Sequence, residues 1–284
     1  MNIMRINFNN DIKTRLFLAV ISIILMVLGW MIARYSGLLI SFFIALLMNI
    51  TAYCYSDTHL LRAFHAHQLQ DQNAITLKLL EIVKALATKA CIPIPKIYII
   101  NTDVPNAFAV GREPATASII VTSALTKILT QEELTAVLAY EIICIKNGNT
   151  WIDSVSAVLG NGFMKFSSPS AWLGMKQSQT NHARNFGTVF LIPFSAGLVR
   201  LLNSHGRQYE IDKMTAQLCD HPAWLASALK KLEENKSDFF AVETQPSTAH
   251  LFIINPLKQD KVNALFTTTH SSVSDRILHL NQAV

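Results

Sequence analysis

The chain has 284 residues, enough for one sizeable domain or two modest ones. Hydrophobic residues make up 51% of it and charged residues only 15%, well below the roughly 25% of ordinary soluble domains, which argues against a wholly soluble protein. The formal net charge is +5, yet no basic block with interleaved aromatics occurs, so no nucleic-acid partner is expected.

Leu16 to Ala33 is a nearly unbroken apolar run bracketed by Arg15 and Arg34. Leu38 to Tyr55 is a second, interrupted mainly by Ser41, Asn49 and Thr51. Each reaches the roughly 18–20 residues that cross a hydrocarbon core of about 30 Å. The link Arg34–Gly37 is short, which predicts a transmembrane helical hairpin as an N-terminal membrane domain over residues 1–56, with spans about 16–33 and 38–55. The lipid bilayer is then the first expected partner. Arg5, Lys13 and Arg15 precede the first span while the hairpin loop carries one arginine, so the positive-inside bias places both chain ends of the hairpin in the cytoplasm. The first apolar run is too long for the h-region of a cleavable signal and lacks a small-residue cleavage site.

The remainder, residues 57–284, reads as a cytoplasmic domain. His59, His65 and His67 fall in a juxtamembrane segment read as solvated. Apolar residues at helical spacing predict a helix from Asn73 to Ala90, stopped by the prolines of Cys91–Pro95. Lys96–Ile100, Phe108–Val110 and Ser118–Thr122 read as strands, separated by turns at Asp103–Asn106 and Gly111–Pro114. They predict a small, largely antiparallel sheet in an α+β fold. Thr130 followed by Glu133 is a capping box, so a helix should run from Gln131 to about Lys146, with Gly148 near its C′ position. Further apolar stretches at about 151–166 and 186–202 are interrupted by charges or by Pro193, and fit either membrane-inserted or buried helices. Cys54, Cys91, Cys144 and Cys219 lack the spacing of a disulfide framework or a zinc ribbon, and read as reduced thiols, mostly buried.

The capped helix carries Tyr140-Glu141-Ile142-Ile143-Cys144, the frame of a His-Glu-x-x-His motif with both histidines replaced. In that motif the histidines, four residues apart on one helix face, hold Zn²⁺, and the glutamate activates the metal-bound water. Here a phenol and a thiol share that face, and the carboxylate remains.

Several ordered segments resemble the HtpX family of bacterial membrane-bound zinc metallopeptidases, of gluzincin type. They are the two N-terminal spans, Ile92–Ile99, Asn106-Ala107-Phe108-Ala109 with Gly111, Ile120–Ser123, Gln131–Ala139 leading into the motif position, Asn147-Gly148, and His270 with Arg276-Ile277. The resemblance implies a mostly helical zincin-like domain. It puts the family's third zinc ligand, a glutamate four residues before an aspartate, at Gln208, with Asp212 as that aspartate. Glu141 keeps the general-base position, while the ligand positions Tyr140, Cys144 and Gln208 are all substituted. His270 is expected near the former metal centre. Asn106, Ser118, Ile120 and Thr122 are expected to line or support a peptide groove, with Ser118–Thr122 as the sheet edge to which an extended substrate adds.

A phenol with a usual pKa near 10 and a neutral amide are poor zinc ligands, leaving Cys144 alone as a competent one. Taken with these substitutions, the resemblance implies no metal cofactor and a pseudoprotease of the bacterial inner membrane. It would bind or regulate membrane-protein segments in membrane protein quality control, alongside an active protease relative. The rival readings are an active zinc endopeptidase with non-standard ligands and a structural membrane protein without peptide binding. Narrower ones are a nucleophilic Cys144 activated by His182, His205, His221 or His270, a metal site rebuilt from Cys144, Asp212 and a histidine, and Glu210 standing in for Gln208.

Overall fold

The structure, a computed structural model, describes residues 2–69, 74–166, 205–235, 246–256 and 270–282. Helix α1 (Asn2–Ala63) leaves helical geometry at Ala33 (φ −137°) and Arg34 (φ 52°). The break falls at the start of the expected link, and Ser36 and Gly37 are already helical again. Its two arms fold back on each other. Asn49 Nδ2 donates to Ser22 Oγ across the arms at 2.8 Å, and Leu18 and Ile21 share an apolar cluster with Ala52. Close approach requires glycine: a Cβ on Gly37 would lie 1.9 Å from the Gly29 carbonyl oxygen. The outward faces expose Val20, Val27, Leu39, Phe43 and Leu47, a surface suited to hydrocarbon rather than water. By length and composition the Thr14–Tyr53 stretch is apolar enough to cross a membrane.

Helix α2 (Ala74–Ala90) leads into the sheet, whose strands are β1 (His67–Gln68), β2 (Lys96–Ile100), β3 (Ala107–Val110) and β4 (Ser118–Thr122). Among the described residues the strand order is β1-β2-β4-β3. The β1–β2 and β3–β4 pairs are antiparallel, but β2 and β4 run parallel in the register Lys96↔Ser118, so the sheet is mixed. The expectation that Ser118–Thr122 forms the sheet edge is wrong. Strand β4 lies inside the sheet, hydrogen-bonded to β2 on one side and β3 on the other. Ser118, Ile120 and Thr122 are buried there, and every residue of the strand is covered on both faces. The continuous apolar run Ile119-Ile120-Val121 is the mark of such a strand. Among the described residues the outer strands are β1 and β3, and β3 is the one that lies against α4.

Short helix α3 (Ser123–Ile128) joins the sheet to α4 (Gln131–Lys146), which is followed by α5 (Asn149–Phe166), α6 (His205–Cys219), α7 (Pro222–Glu234), a 3₁₀ turn (Pro246–Leu251) and α8 (Val273–Gln282). Helix α4 is the centre of the main core, where Leu134, Val137, Leu138 and Ile142 share a cluster with residues of α2, β3, α6 and α7. Helix α5 docks the hairpin onto this domain. Trp151, Val155 and Leu159 pack on Leu18, Ile21 and Ala52, and Trp151 meets the Tyr53 ring edge-on at 6.2 Å. The apolar stretch 186–202 and His182 lie outside the described residues. Cys91 is exposed, against the expectation of mostly buried thiols.

The two glycine environments give opposite expectations for alanine. Helix propensity favours Ala over Gly by about 1 kcal/mol, but overpacking against backbone costs about 1–3 kcal/mol. Gly37→Ala should lower the thermal midpoint in detergent by several degrees, because the atom it meets is main chain. Gly206→Ala in α6, with nothing within 4 Å of the new carbon, should hold or raise it.

Candidate functional site

The helix that carries Tyr140-Glu141-Ile142-Ile143-Cys144 is started by a capping box. Thr130 Oγ1 accepts from the Glu133 N–H at 3.3 Å, and Glu133 Oε2 accepts from the Thr130 N–H at 2.8 Å. Glu133 also accepts from Ser227 Oγ and Lys231 Nζ on α7, at 2.7 and 2.8 Å. The capping box thus sets both where α4 begins and how it is rotated against α7, which turns Tyr140 and Glu141 inward. Beyond the C-terminus, Gly148 takes the left-handed φ of 67° that ends such a helix.

Tyr140 is buried beneath a guanidinium. Arg276 Cζ sits 5.1 Å from the centre of the Tyr140 ring. The same group donates from Nε and Nη2 to the two carboxylate oxygens of Asp212, at 2.9 and 2.7 Å, and from Nη1 to the Ile253 carbonyl at 2.7 Å. Arg276 and Asp212 are each 1% exposed. Burial raises the Tyr140 phenol well above its ordinary pKa, with Arg276 opposing, so the ring stays protonated.

Glu141 is 2% exposed. Burial first, and the nearby Asp153 carboxylate second, push its pKa up to about 8, against the pull of Arg276 and of the Ala109 main-chain N–H. At pH 7 it is mostly the neutral acid. Its Oε1 has no hydrogen-bond partner among the described residues. Cys144 lies one turn on and is partly buried. Burial, then Glu141 and Asp153, raise its thiol well above the ordinary value, with Arg207 and Arg276 opposing. An activated cysteine has the reverse shift. His270 is not paired with it through Nε2, which meets the Phe252 carbonyl at 2.9 Å. A carbonyl only accepts, so that nitrogen carries the proton.

Gln208 and Asp212 come from α6. Gln208 Oε1 accepts from the Ser271 N–H at 2.7 Å, and Glu210 points to solvent. Next to Gln208, Arg207 Nη2 donates to Asp153 Oδ1 on α5 at 2.7 Å, and His250 Nε2 donates to the Asp153 carbonyl at 3.0 Å. Asn106 and Thr122 stand at the sheet end of the site, where Thr122 Oγ1 accepts from the Asn106 N–H at 2.9 Å.

A zinc hydrolase needs about three donors drawn from neutral imidazole, thiolate and carboxylate, with one open position. Here Tyr140 is a phenol, Cys144 a thiol, Glu141 a neutral acid, and the Gln208 carbonyl oxygen already holds Ser271. Two guanidinium groups, Arg207 and Arg276, act on the same thiol. A dication would have to enter beside both. Among the described residues no three His, Cys, Asp or Glu side chains gather as a metal-holding group, Cys144 with Asp212 and a histidine included. The donor set does not fit Zn²⁺.

Sequence reasoning missed three residues of this site. Asp153 reads in the sequence only as an interruption of an apolar stretch, and Arg207 and His250 carry no motif. Their roles follow from α5, α6 and the 3₁₀ turn converging, which nothing in their local spacing encodes.

The model of peptidase family M48 matches residues 73–284. "Protease HtpX" of Legionella pneumophila (strain Philadelphia 1) is 39% identical over 279 residues, covering 95% of this chain and 98% of its own length. "Protease HtpX homolog" proteins of Campylobacter concisus and Persephonella marina are each 36% identical over 279 and 280 residues, covering 95% of this chain and 96% of theirs. Among solved structures, S. mikatae Ste24p aligns with a TM-score of 0.47 at 14% identity, covering 99% of this chain and 66% of that one.

Two outcomes test this geometry. Arg276→Met leaves Asp212 charged and unpaired in the core, and should destabilise by about 3–5 kcal/mol. Thermal unfolding in detergent measures it. Glu141 ionises at about 8 when folded and near 4.5 when unfolded, so between those values the folded state holds a proton that the unfolded chain has released. Stability therefore falls as pH rises through that window, by at most about 1.4 kcal/mol per pH unit. Glu141→Gln should flatten the pH dependence of the thermal midpoint between pH 5 and 8 and raise it at the alkaline end; an unchanged slope would contradict the assignment.

Proposed function

Because this chain belongs to peptidase family M48, we propose that it is a membrane-anchored member that binds peptide segments without cutting them. The observation that carries this reading is the Arg276 guanidinium seated over Tyr140, at the place where the motif calls for a zinc-binding imidazole. A hydrolytic water needs a base or a Lewis acid to activate it. Burial and Asp153 push the acid at the base position up to about 8, which makes it a poorer proton acceptor at pH 7 than an ordinary carboxylate. The surrounding groups supply no donor set for the metal that would otherwise lower the pKa of water.

What persists is a scaffold that can present a strand edge. In this reading the hairpin crosses the bacterial cytoplasmic membrane with both ends inside, and the domain that follows faces the cytoplasm. Strand β3, at the end of the sheet beside α4, meets extended segments of membrane proteins by main-chain pairing. The role is in membrane protein quality control, as a holder or a regulator alongside an active relative.

Metal analysis of the detergent-solubilised protein, paired with a casein cleavage assay, tests the proposal. Purified chain should carry far less than one zinc per molecule and should not cleave. Stoichiometric zinc with chelator-sensitive cleavage would overturn the reading in favour of an active zinc endopeptidase with other ligands. The combined variant Tyr140→His, Cys144→His, Gln208→Glu should recover close to one zinc per chain, and any two of these changes should recover little. A folded triple variant without zinc would show that these positions do not face one centre.

A further inference from the structure

The turn between β3 and β4 is distant from the hairpin in sequence, yet the fold brings it against the end of the hairpin's second arm. Gly111 opens the turn at φ 135°, a conformation that favours glycine, and a Cβ there would lie 2.6 Å from the Ala117 Cα. Its carbonyl accepts from Thr150 Oγ1, at the start of α5, in a buried bond of 2.8 Å. Across the turn the Thr116 N–H donates to the Glu113 carbonyl at 3.0 Å. The turn is thus held in one place, and it carries a charged pair. Arg112 Nε and Nη2 donate to Glu113 Oε1 at 3.0 and 2.8 Å. Arg112 Cζ stands 4.4 Å from the centre of the Tyr53 ring, which itself meets Trp151 edge-on.

The depth of this pair along the hairpin gives it meaning. Tyr53 ends the stretch that is apolar enough to cross a membrane. The arms run antiparallel through the Asn49–Ser22 bond, which sets Arg15, exposed on the first arm, level with Ser56 on the second, one turn past Tyr53. Apolar surface gives way to charge here, as it does at the height of lipid headgroups, where tyrosine is enriched. The Arg112 and Glu113 side chains are 33% and 57% exposed. A pair so exposed adds little to stability, so stability does not account for it. What it offers is a fixed cation and a fixed anion side by side. A headgroup with a phosphate and a primary ammonium is the complement of that arrangement. A guanidinium matches phosphate oxygens, and a carboxylate accepts from ammonium N–H groups.

We infer that the β3–β4 turn is a headgroup site for a zwitterionic phospholipid with a primary ammonium, its phosphate docking on Arg112 and its ammonium on Glu113. The Tyr53 ring steadies the guanidinium. A choline headgroup has no N–H for Glu113, and a glycerol headgroup has no cation, so the site prefers ethanolamine to both. The inference rests on the reading of the hairpin as membrane-crossing, and on neither peptide binding nor metal.

The test is native mass spectrometry of the full chain from detergent micelles, titrated separately with phosphatidylethanolamine, phosphatidylcholine and phosphatidylglycerol of identical acyl chains. The first phosphatidylethanolamine should bind at least about tenfold more tightly than either other lipid, as one hydrogen bond between charged groups provides. Glu113→Ala should erase that preference, and Arg112→Gln should weaken all three lipids. Equal affinities for the unaltered chain overturn the inference. So does a preference that survives Glu113→Ala, or an Arg112→Gln chain that binds as before. Glycerophosphoethanolamine at the same concentration should leave the lipid complex intact; if it displaces the lipid, the ligand is a soluble phosphate ester and the assignment to the bilayer fails. Both side chains reach solvent, so the variants should fold; if Arg112→Gln does not, Glu113→Ala decides alone. A chain that stays soluble without detergent and binds no lipid fails the membrane reading as well, whereas one that needs detergent and shows no preference fails this inference only. Zinc content and casein cleavage do not enter these readouts.

Discussion

The site is organised around one buried cation. Arg276 reaches from the last described helix into the core and joins Asp212 on α6, the Ile253 carbonyl and the ring of Tyr140 on α4. A guanidinium stripped of water is tolerated only when its donors are met and its charge is balanced, and Asp212 supplies the balance through two parallel hydrogen bonds. The arrangement cross-links α4 and α6 through a group fixed by the chain itself. Tyr140 suits that role, because its ring offers a π face to the cation and its burial keeps the phenol neutral.

The consequences for Glu141 are electrostatic. Burial and the neighbouring Asp153 carboxylate push its pKa up to about 8. Asp153 takes part twice, since it neutralises Arg207 and raises Glu141. Around Tyr140, Cys144 and Gln208 the guanidinium groups are paired, Arg207 with Asp153 and Arg276 with Asp212, in line with the rule that buried charges are paired.

Local chemistry carried much of the fold. The Thr130–Glu133 capping box started α4 at Gln131, where its spacing implied, and Pro93 and Pro95 stopped α2 before β2. Each of those signals acts within one turn of chain. The sheet edge was misassigned because strand order is a long-range property. Ser118–Thr122 and Ala107–Val110 look alike as short apolar strands, and only the parallel pairing of β2 with β4 puts β3 outside. The β3 edge also takes its covering segment from residues nearly 150 positions away, as the Asn106 bond to Ile254 spans 148.

The amino-acid sequence alone determined the apolar hairpin and the helix bearing Tyr140, Glu141 and Cys144, because periodicity, capping and residue chemistry are local. Tertiary structure decided what those groups became. Protonation of Glu141, the seat of Arg276 over Tyr140, the Arg207–Asp153 pair and the filling of the β3 edge all depend on burial and on neighbours brought in from distant helices. Burial and through-space charge set a side chain's chemistry, and neither is written in its sequence spacing.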